Sequence, residues 1–115
     1  MKTLTLAALV AATIAAAPAR AEFVSGNQLY GDLNSDDISP KIYALGYIIG
    51  VADTVVGIAY CPASRVTAGQ LKDIVQAYLC DTPAERHRSG DVLVLRALSS
   101  VFPCKRQQQQ PAPGI

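Results

Sequence analysis

Histidine and clustered charge are both scarce in this chain. One histidine is present, charged residues make up 17% of the 115 positions, and the formal net charge is +1. Metal sites need clustered histidine, cysteine or carboxylate ligands at fixed spacing, and the sequence has no such cluster. No run of like charge exceeds two residues. We therefore predict no metal, no cofactor and no nucleic-acid partner.

The first 21 residues have the pattern of a cleaved export signal. Lys2 precedes an apolar run from Leu4 to Ala17, and Ala19-Arg20-Ala21 has the small residues of a cleavage site. A retained membrane anchor is disfavoured because the apolar run is short and the cleavage site follows it. We predict a signal peptide over residues 1–21, cleaved after Ala21. Lys2 and Arg20 leave with it, so eight basic and nine acidic residues remain, a net charge of −1.

The longest apolar stretch is Ile42 to Tyr60, whose only charge is Asp53. A membrane-spanning helix is one interpretation, but Asp53 at mid-span would cost about 2.5–3.5 kcal/mol. We therefore expect a buried helix of a soluble domain without stable membrane insertion. Its glycines, Gly46, Gly50 and Gly57, form a track on which another backbone can lie close. The stripe expected to face the core is Ile42, Leu45, Ile49, Ala52, Val56 and Ala59.

Four capping motifs predict where helices begin. Ser25 and Gln28 form a capping box, as do Thr67 and Gln70; Thr82 with Glu85 repeats the spacing, and Ser39-Pro40 opens the central helix. The predicted helices cover residues 26–33, 40–59, 68–79 and 91–101, with a single turn at 83–88. The residues expected to face inward on the last two helices are Leu71, Ile74, Val75, Tyr78, Val94, Ala97, Leu98 and Val101.

The fold class that follows is all-α. We predict a small single-domain bundle of four to five helices around the central glycine-rich helix, over residues 22–104. Residues 92–95 alone are also compatible with a buried strand, but no second strand is available to pair with them. Residues 105–115, rich in glutamine and proline, have no apolar periodicity and are expected to be a disordered tail.

Three cysteines allow at most one intramolecular disulfide. Cys61 and Cys104 both lie just outside predicted helices, so we favour a bridge between them. It would close a loop of about forty residues and contribute roughly 4 kcal/mol. Cys80 is expected to be a small buried hydrophobe, with an intermolecular bridge as the alternative.

Catalytic interpretations have little support, and we predict that the protein is not an enzyme. His87 lies between two arginines at a helix end, where a solvated role is favoured; a thiol hydrolase with Cys80 would need a third orienting group. The Asp36-Asp37 pair fits a solvated turn. Asp53 is expected to be hydrogen-bonded inside the fold, or else to lie partly exposed at a helix edge.

Two segments have the residues of a known family. The first is Leu45-Gly46-Tyr47-Ile48-Ile49-Gly50-Val51-Ala52-Asp53, and the second is Leu93-Val94, Ala97-Leu98 and Phe102-Pro103-Cys104. Between them lie Cys61-Pro62, Val66-Thr67, Gln70-Leu71, Val75 and Tyr78-Leu79. Over residues 23–104 the chain resembles the Rap/Tai family of immunity proteins, which includes the Rap1a domain. The motif residues expected to be structural are Gly46, Tyr47, Gly50, Asp53, Phe102 and Pro103.

The resemblance implies an all-α periplasmic protein without catalysis, which binds and occludes a peptidoglycan amidase delivered by type VI secretion. It also implies a homodimer. Cys61 and Cys104 match the two later cysteines of the family, which supports the favoured bridge. The chain departs from the pattern near Asp32–Leu33 and at Ala44, where members often carry another cysteine pair. This departure is consistent with the loss of one disulfide.

A second hypothesis is an acid-stress chaperone similar to the HdeA-like periplasmic helical proteins. Such a protein should expose apolar surface when acidified, whereas an immunity protein should bind its amidase at neutral pH. For partner contact we select two loops, residues 34–39 and 62–66, because loops on a rigid scaffold usually carry recognition. The contact residues predicted in them are Asp36, Asp37, Ser64 and Arg65.

Overall fold

The computed structural model describes residues 23–105. The predicted signal peptide and all but the first residue of the predicted tail lie outside the described residues. The helices are α1 (Gly26–Leu33), α2 (Ile38–Val55), α3 (Ala68–Asp81) and α4 (Gly90–Val101), with a 3₁₀ turn at Pro83–Glu85. The predicted all-α class is confirmed, and the alternative of a strand at 92–95 is wrong because these residues lie in α4.

Of the four predicted helix starts, the capping box at Thr67 forms as expected, and the one at Ser25 forms in part, without the returning bond from the Gln28 side chain. The Ser25 hydroxyl accepts a hydrogen bond from the Gln28 N–H at 3.2 Å and caps α1. At the start of α3, the Gln70 N–H donates to the Thr67 hydroxyl at 3.1 Å. The Gln70 side chain returns the bond by accepting from the Thr67 N–H at 2.8 Å. The reciprocal bonds satisfy backbone donors that the helix itself leaves without partners.

The other two starts differ from the prediction. Helix α2 begins at Ile38 with Asp37 as its N-cap, two residues before Pro40. The Thr82 hydroxyl donates instead to the Tyr78 carbonyl at 2.7 Å, so it closes α3 rather than opening the next helix. Only a three-residue 3₁₀ turn follows, at Pro83–Glu85.

The core lies where α1, α3 and α4 pack around the buried face of α2. Every helix contributes at least one fully buried side chain. The largest of these are Leu29, Ile48, Leu79, Leu93, Leu98, Val75 and Val94. Burying a leucine, isoleucine or valine side chain contributes about 1.5–3 kcal/mol each, which makes this cluster the main source of stability.

The predicted core face of α2 is wrong by roughly a quarter of a turn around the helix axis. Ala52 is fully buried as predicted, but so are Ala44 and Ile48, which lie outside the predicted stripe, whereas Ile42 and Val56 are 60% and 50% exposed. The helix is apolar around most of its circumference, so residue spacing alone does not identify the side that the neighbouring helices cover. Helix α2 also ends at Val55, so Ala59 is not part of it.

Two smaller expectations are also wrong. Val101 is 50% exposed at the end of α4, and Leu93 is buried on that helix instead. Cys80 carries a free, exposed thiol rather than a buried one. Both residues lie in the last two positions of their helices, where neighbouring helices give less cover.

Close backbone approach fixes α1 against the start of α4. The Gly90 N–H donates to the Val24 carbonyl at 2.6 Å, and the Gly26 N–H donates to the Arg88 carbonyl at 2.9 Å. A Cβ atom at Gly26 would stand 2.7 Å from the Arg86 carbonyl oxygen, so only glycine fits there without rearrangement. The Arg86 guanidinium stacks 4.1 Å above the Tyr30 ring and holds the same corner together.

Candidate interaction surface

The chain leaves α2 through a tight turn at residues 55–61, which we call the anchored turn. Gly57 adopts φ +78°, a left-handed conformation that side chains disfavour. Its N–H donates to the Tyr60 carbonyl at 2.8 Å. The Val55 carbonyl accepts two further bonds, from the Ile58 N–H at 3.0 Å and from the Ala59 N–H at 2.9 Å. These bonds give the turn one defined conformation.

A disulfide fastens this turn to the segment after α4. Cys61 and Cys104 are bonded, with their Cα atoms 4.8 Å apart, as predicted. The Cys61 N–H donates to the Phe102 carbonyl at 2.8 Å. The rings of Tyr60 and Phe102 lie 6.4 Å apart at their centroids. The motif residue Phe102 therefore helps to hold the turn, while Pro103 is exposed beside it.

The anchored turn presents apolar side chains to solvent. Ile58 is 79% exposed and Val56 is 50% exposed. An exposed isoleucine on a mobile loop is ordinary, but here the backbone is fixed by hydrogen bonds and a disulfide. Since little conformational entropy remains to be lost, contact with a partner at this tip would cost less than ordering a free loop.

A shallow groove of about 400 Å³ lies beside the anchored turn. Its lining mixes apolar and polar residues: Asp53, Val56, Tyr60, Pro62, Ala63, Ser64, Arg65, Val66 and Leu71. Asp53 is exposed, so the expectation of a hydrogen bond inside the fold is wrong and its alternative, a helix-edge position, holds. Burial, with a smaller effect of the Asp53 carboxylate, raises the pKa of the Tyr60 hydroxyl above its ordinary value.

The predicted contact residues occupy two separate places. Ser64 and Arg65 line the groove beside the anchored turn. Asp36 and Asp37 precede the first residue of α2, at its other end. The 18 residues of α2 give it a length of about 27 Å. The two loops therefore do not form one continuous site.

The outward side of α2 carries a second surface, the open face, formed by Ile42, Tyr43, Gly46 and Gly50. Ile42 and Tyr43 are 60% and 53% exposed. A Cβ atom added at Gly46 or Gly50 would meet nothing within 4 Å. Within residues 23–105 the predicted close approach of another backbone to this glycine track therefore does not occur. Tyr47, on the inward side, packs instead against Gly90.

The remaining candidate features are the single histidine, metal-ligating clusters and membrane-spanning helices. His87 is exposed, with its Nδ1 atom 2.9 Å from the Ala84 carbonyl oxygen. Over residues 23–105 no group of histidine, cysteine and carboxylate side chains is placed to hold a metal ion. None of the helices described is long and apolar enough to cross a bilayer.

A family model for the Rap1a immunity proteins matches residues 25–104, more than two thirds of the chain. The chain belongs to the Rap1a immunity protein family. No curated protein sequence is significantly similar to it. The matched region contains all four helices, both disulfide cysteines and the whole of the anchored turn.

Membership of the Rap1a family identifies an immunity protein directed against a secreted effector, which it binds as a protein partner. Such proteins are generally non-catalytic. Family and disulfide together indicate a secreted protein. The surfaces described above are candidates for binding that effector.

Ile58 is the exposed residue that sequence reasoning missed in this Rap1a protein. Extending α2 to residue 59 placed Ile58 within a regular helix. The signal that would have found it is Gly57, because glycine is the residue that most often ends a helix in the left-handed conformation. Pro62, five residues further on, supports the same boundary.

Proposed function

We propose that this Rap1a protein is a periplasmic immunity protein that binds and inhibits a peptidoglycan amidase delivered by type VI secretion. It performs no catalysis itself. The observation that carries the proposal is the family match over residues 25–104. The Cys61–Cys104 disulfide supports an oxidising compartment such as the periplasm. Export would use residues 1–21 as a signal peptide cleaved after Ala21.

The proposal is tested by mixing the purified protein with candidate amidases encoded beside its gene. Peptidoglycan hydrolysis is followed at neutral pH, and binding is measured by calorimetry. We expect stoichiometric binding and loss of hydrolysis with the cognate enzyme. Hydrolysis that continues undiminished at saturating protein, with no binding heat, would contradict the proposal.

The same preparation distinguishes the acid-stress chaperone hypothesis. A chaperone of that kind would suppress the aggregation of unrelated proteins in acid and leave the amidase active at neutral pH. An immunity protein gives the opposite pair of results. Both measurements are made on one sample, so a negative result in one assay cannot be attributed to a misfolded preparation.

We also propose that the protein forms a homodimer through the open face of α2. A two-fold interface requires a self-complementary patch, and Gly46 and Gly50 permit two helices to cross closely. Ile42 and Tyr43 beside them are exposed and would be buried on association. Light scattering after gel filtration should give twice the monomer mass for the wild type and the monomer mass for Ile42→Asp. A monomeric wild type at high micromolar concentration would refute the dimer.

A further inference from the structure

We infer that the anchored turn is the element that enters the effector, with Ile58 as the anchor and the Asp53–Arg65 groove as the adjoining contact surface. This inference rests on the proposed function. It concerns which surface binds the effector, which neither the family match nor the resemblance specifies.

The first argument is the geometry of the turn. Ile58 is 79% exposed, the most exposed large apolar side chain among the described residues. Its N–H donates to the Val55 carbonyl at 3.0 Å, and the N–H of the next residue, Ala59, donates to the same carbonyl at 2.9 Å. The side chain therefore projects from a backbone held at both ends. Binding energy at protein interfaces concentrates in a few such preorganised apolar anchors.

The second argument is the chemistry of the surface around the tip. The groove that begins at Val56 and Tyr60 carries a carboxylate, Asp53, and a guanidinium, Arg65, among apolar residues. An apolar anchor with a polar and charged surround is the composition of interfaces between proteins that fold separately and then associate. Permanent interfaces between identical subunits are more uniformly apolar.

The four residues that define the open face of α2 include no charged side chain, unlike the groove, so the two surfaces fit different occupants. Ile42, Tyr43 and two glycines carry no charge and suit a second copy of this chain. The tip and its groove present both signs of charge, so the matching effector surface must offer an apolar depression flanked by groups that pair with Asp53 and Arg65. We therefore assign the anchored turn to the effector.

The test compares two substitutions of the same kind in the full mature protein. Ile58→Asp places a charge at the tip. Ile38→Asp does so at an isoleucine that is 67% exposed at the other end of α2, within the loop 34–39 that was selected from the sequence as the other contact site, so the pair decides between the two loops. Affinity for the cognate amidase is measured by calorimetry, and thermal unfolding by circular dichroism checks that each variant folds. We expect Ile58→Asp to raise Kd by about a hundredfold or more, and Ile38→Asp to change it by less than about threefold.

Two results would overturn the inference and leave the proposed function standing. One is a folded Ile58→Asp variant that binds the amidase with wild-type affinity. The other is a large loss of affinity in Ile38→Asp with none in Ile58→Asp, which would place the effector at the opposite end of α2. If the wild type binds no amidase, the proposed function fails, and the inference fails with it.

A second variant keeps the test decisive should Ile58→Asp fail to fold. Ile58→Ala removes the apolar anchor without adding a charge and leaves the backbone hydrogen bonds of the turn in place. It should raise Kd by about tenfold or more with an unchanged unfolding temperature. An unchanged Kd in this variant would also overturn the inference.

Discussion

Gly26 provides a sharp test of how α1 meets the rest of the domain. A Cβ atom there would stand 2.2 Å from the Leu93 Cδ1 atom and 2.7 Å from the Arg86 carbonyl oxygen. Leu93 is fully buried, and the Arg86 carbonyl accepts a hydrogen bond from the Asn27 N–H at 2.7 Å. Neither neighbour can move without breaking other contacts. We therefore expect Gly26→Ala to destabilise the fold by about 1–3 kcal/mol, as overpacking typically does.

Gly31 is the matched control, because it lies in the same helix. A Cβ atom at Gly31 would meet nothing within 4 Å. Alanine at this position should stabilise α1 by roughly 0.5–1 kcal/mol, since it lowers the conformational entropy lost on folding. The two substitutions add the same methyl group, so their opposite signs would isolate the effect of the tertiary contact.

Thermal unfolding followed by circular dichroism measures the difference. For a domain of this size each kcal/mol corresponds to about 4–8 °C in Tm. Gly26→Ala should therefore lower Tm by roughly 4–24 °C, while Gly31→Ala raises it by a few degrees. A Gly26→Ala variant as stable as Gly31→Ala would refute the close approach of α1 to Arg86.

Two further predictions concern the disulfide and the pH dependence of stability. Replacing Cys61 and Cys104 by alanine together should lower the free energy of unfolding in urea by about 4 kcal/mol, from the entropy of the closed loop; equal stability with and without reductant would contradict this. Burial, and then the Asp91 carboxylate, raise the pKa of Tyr47 above its ordinary value of 10.0. The pKa of Tyr47 is higher in the folded protein than in the unfolded chain. Its contribution to the free energy of unfolding is therefore present below pH 10 and is lost as the pH rises through the pKa of the folded protein. Ultraviolet titration should show late-ionising tyrosine; Asp91→Asn should move the pKa of Tyr47 down, and Tyr47→Phe should remove the share of the late transition that belongs to Tyr47 and leave that of Tyr60.

The features that could be predicted from the sequence are those that depend on contacts between residues close together in the chain. The bounds of α1 agree with the prediction because its start depends on Ser25 and Gln28, three residues apart. Thr67 and Gln70 act in the same local way at α3. The disulfide pairing could also be predicted, since Cys61 and Cys104 both lie outside helices and match the family pattern.

The buried side of α2 could not be predicted from the sequence in the same way. Ile42 and Ile48 are equally apolar, yet Ile42 is 60% exposed and Ile48 is fully buried. The difference arises from where α1, α3 and α4 pack, which is set by contacts between residues far apart in the sequence. For the same reason the loops containing Asp37 and Arg65 looked equivalent as contact sites, although α2 separates them in space.

The disulfide has a practical consequence for a protein that works outside the cytoplasm. Cys61 and Cys104 lie 43 residues apart, and α3 and α4 both fall between them. A protease that cuts the chain once in that interval leaves its two fragments joined by the sulfur–sulfur bond. Such a nicked molecule keeps all its parts and its full mass, and the cut becomes visible on a gel only after a reducing agent is added.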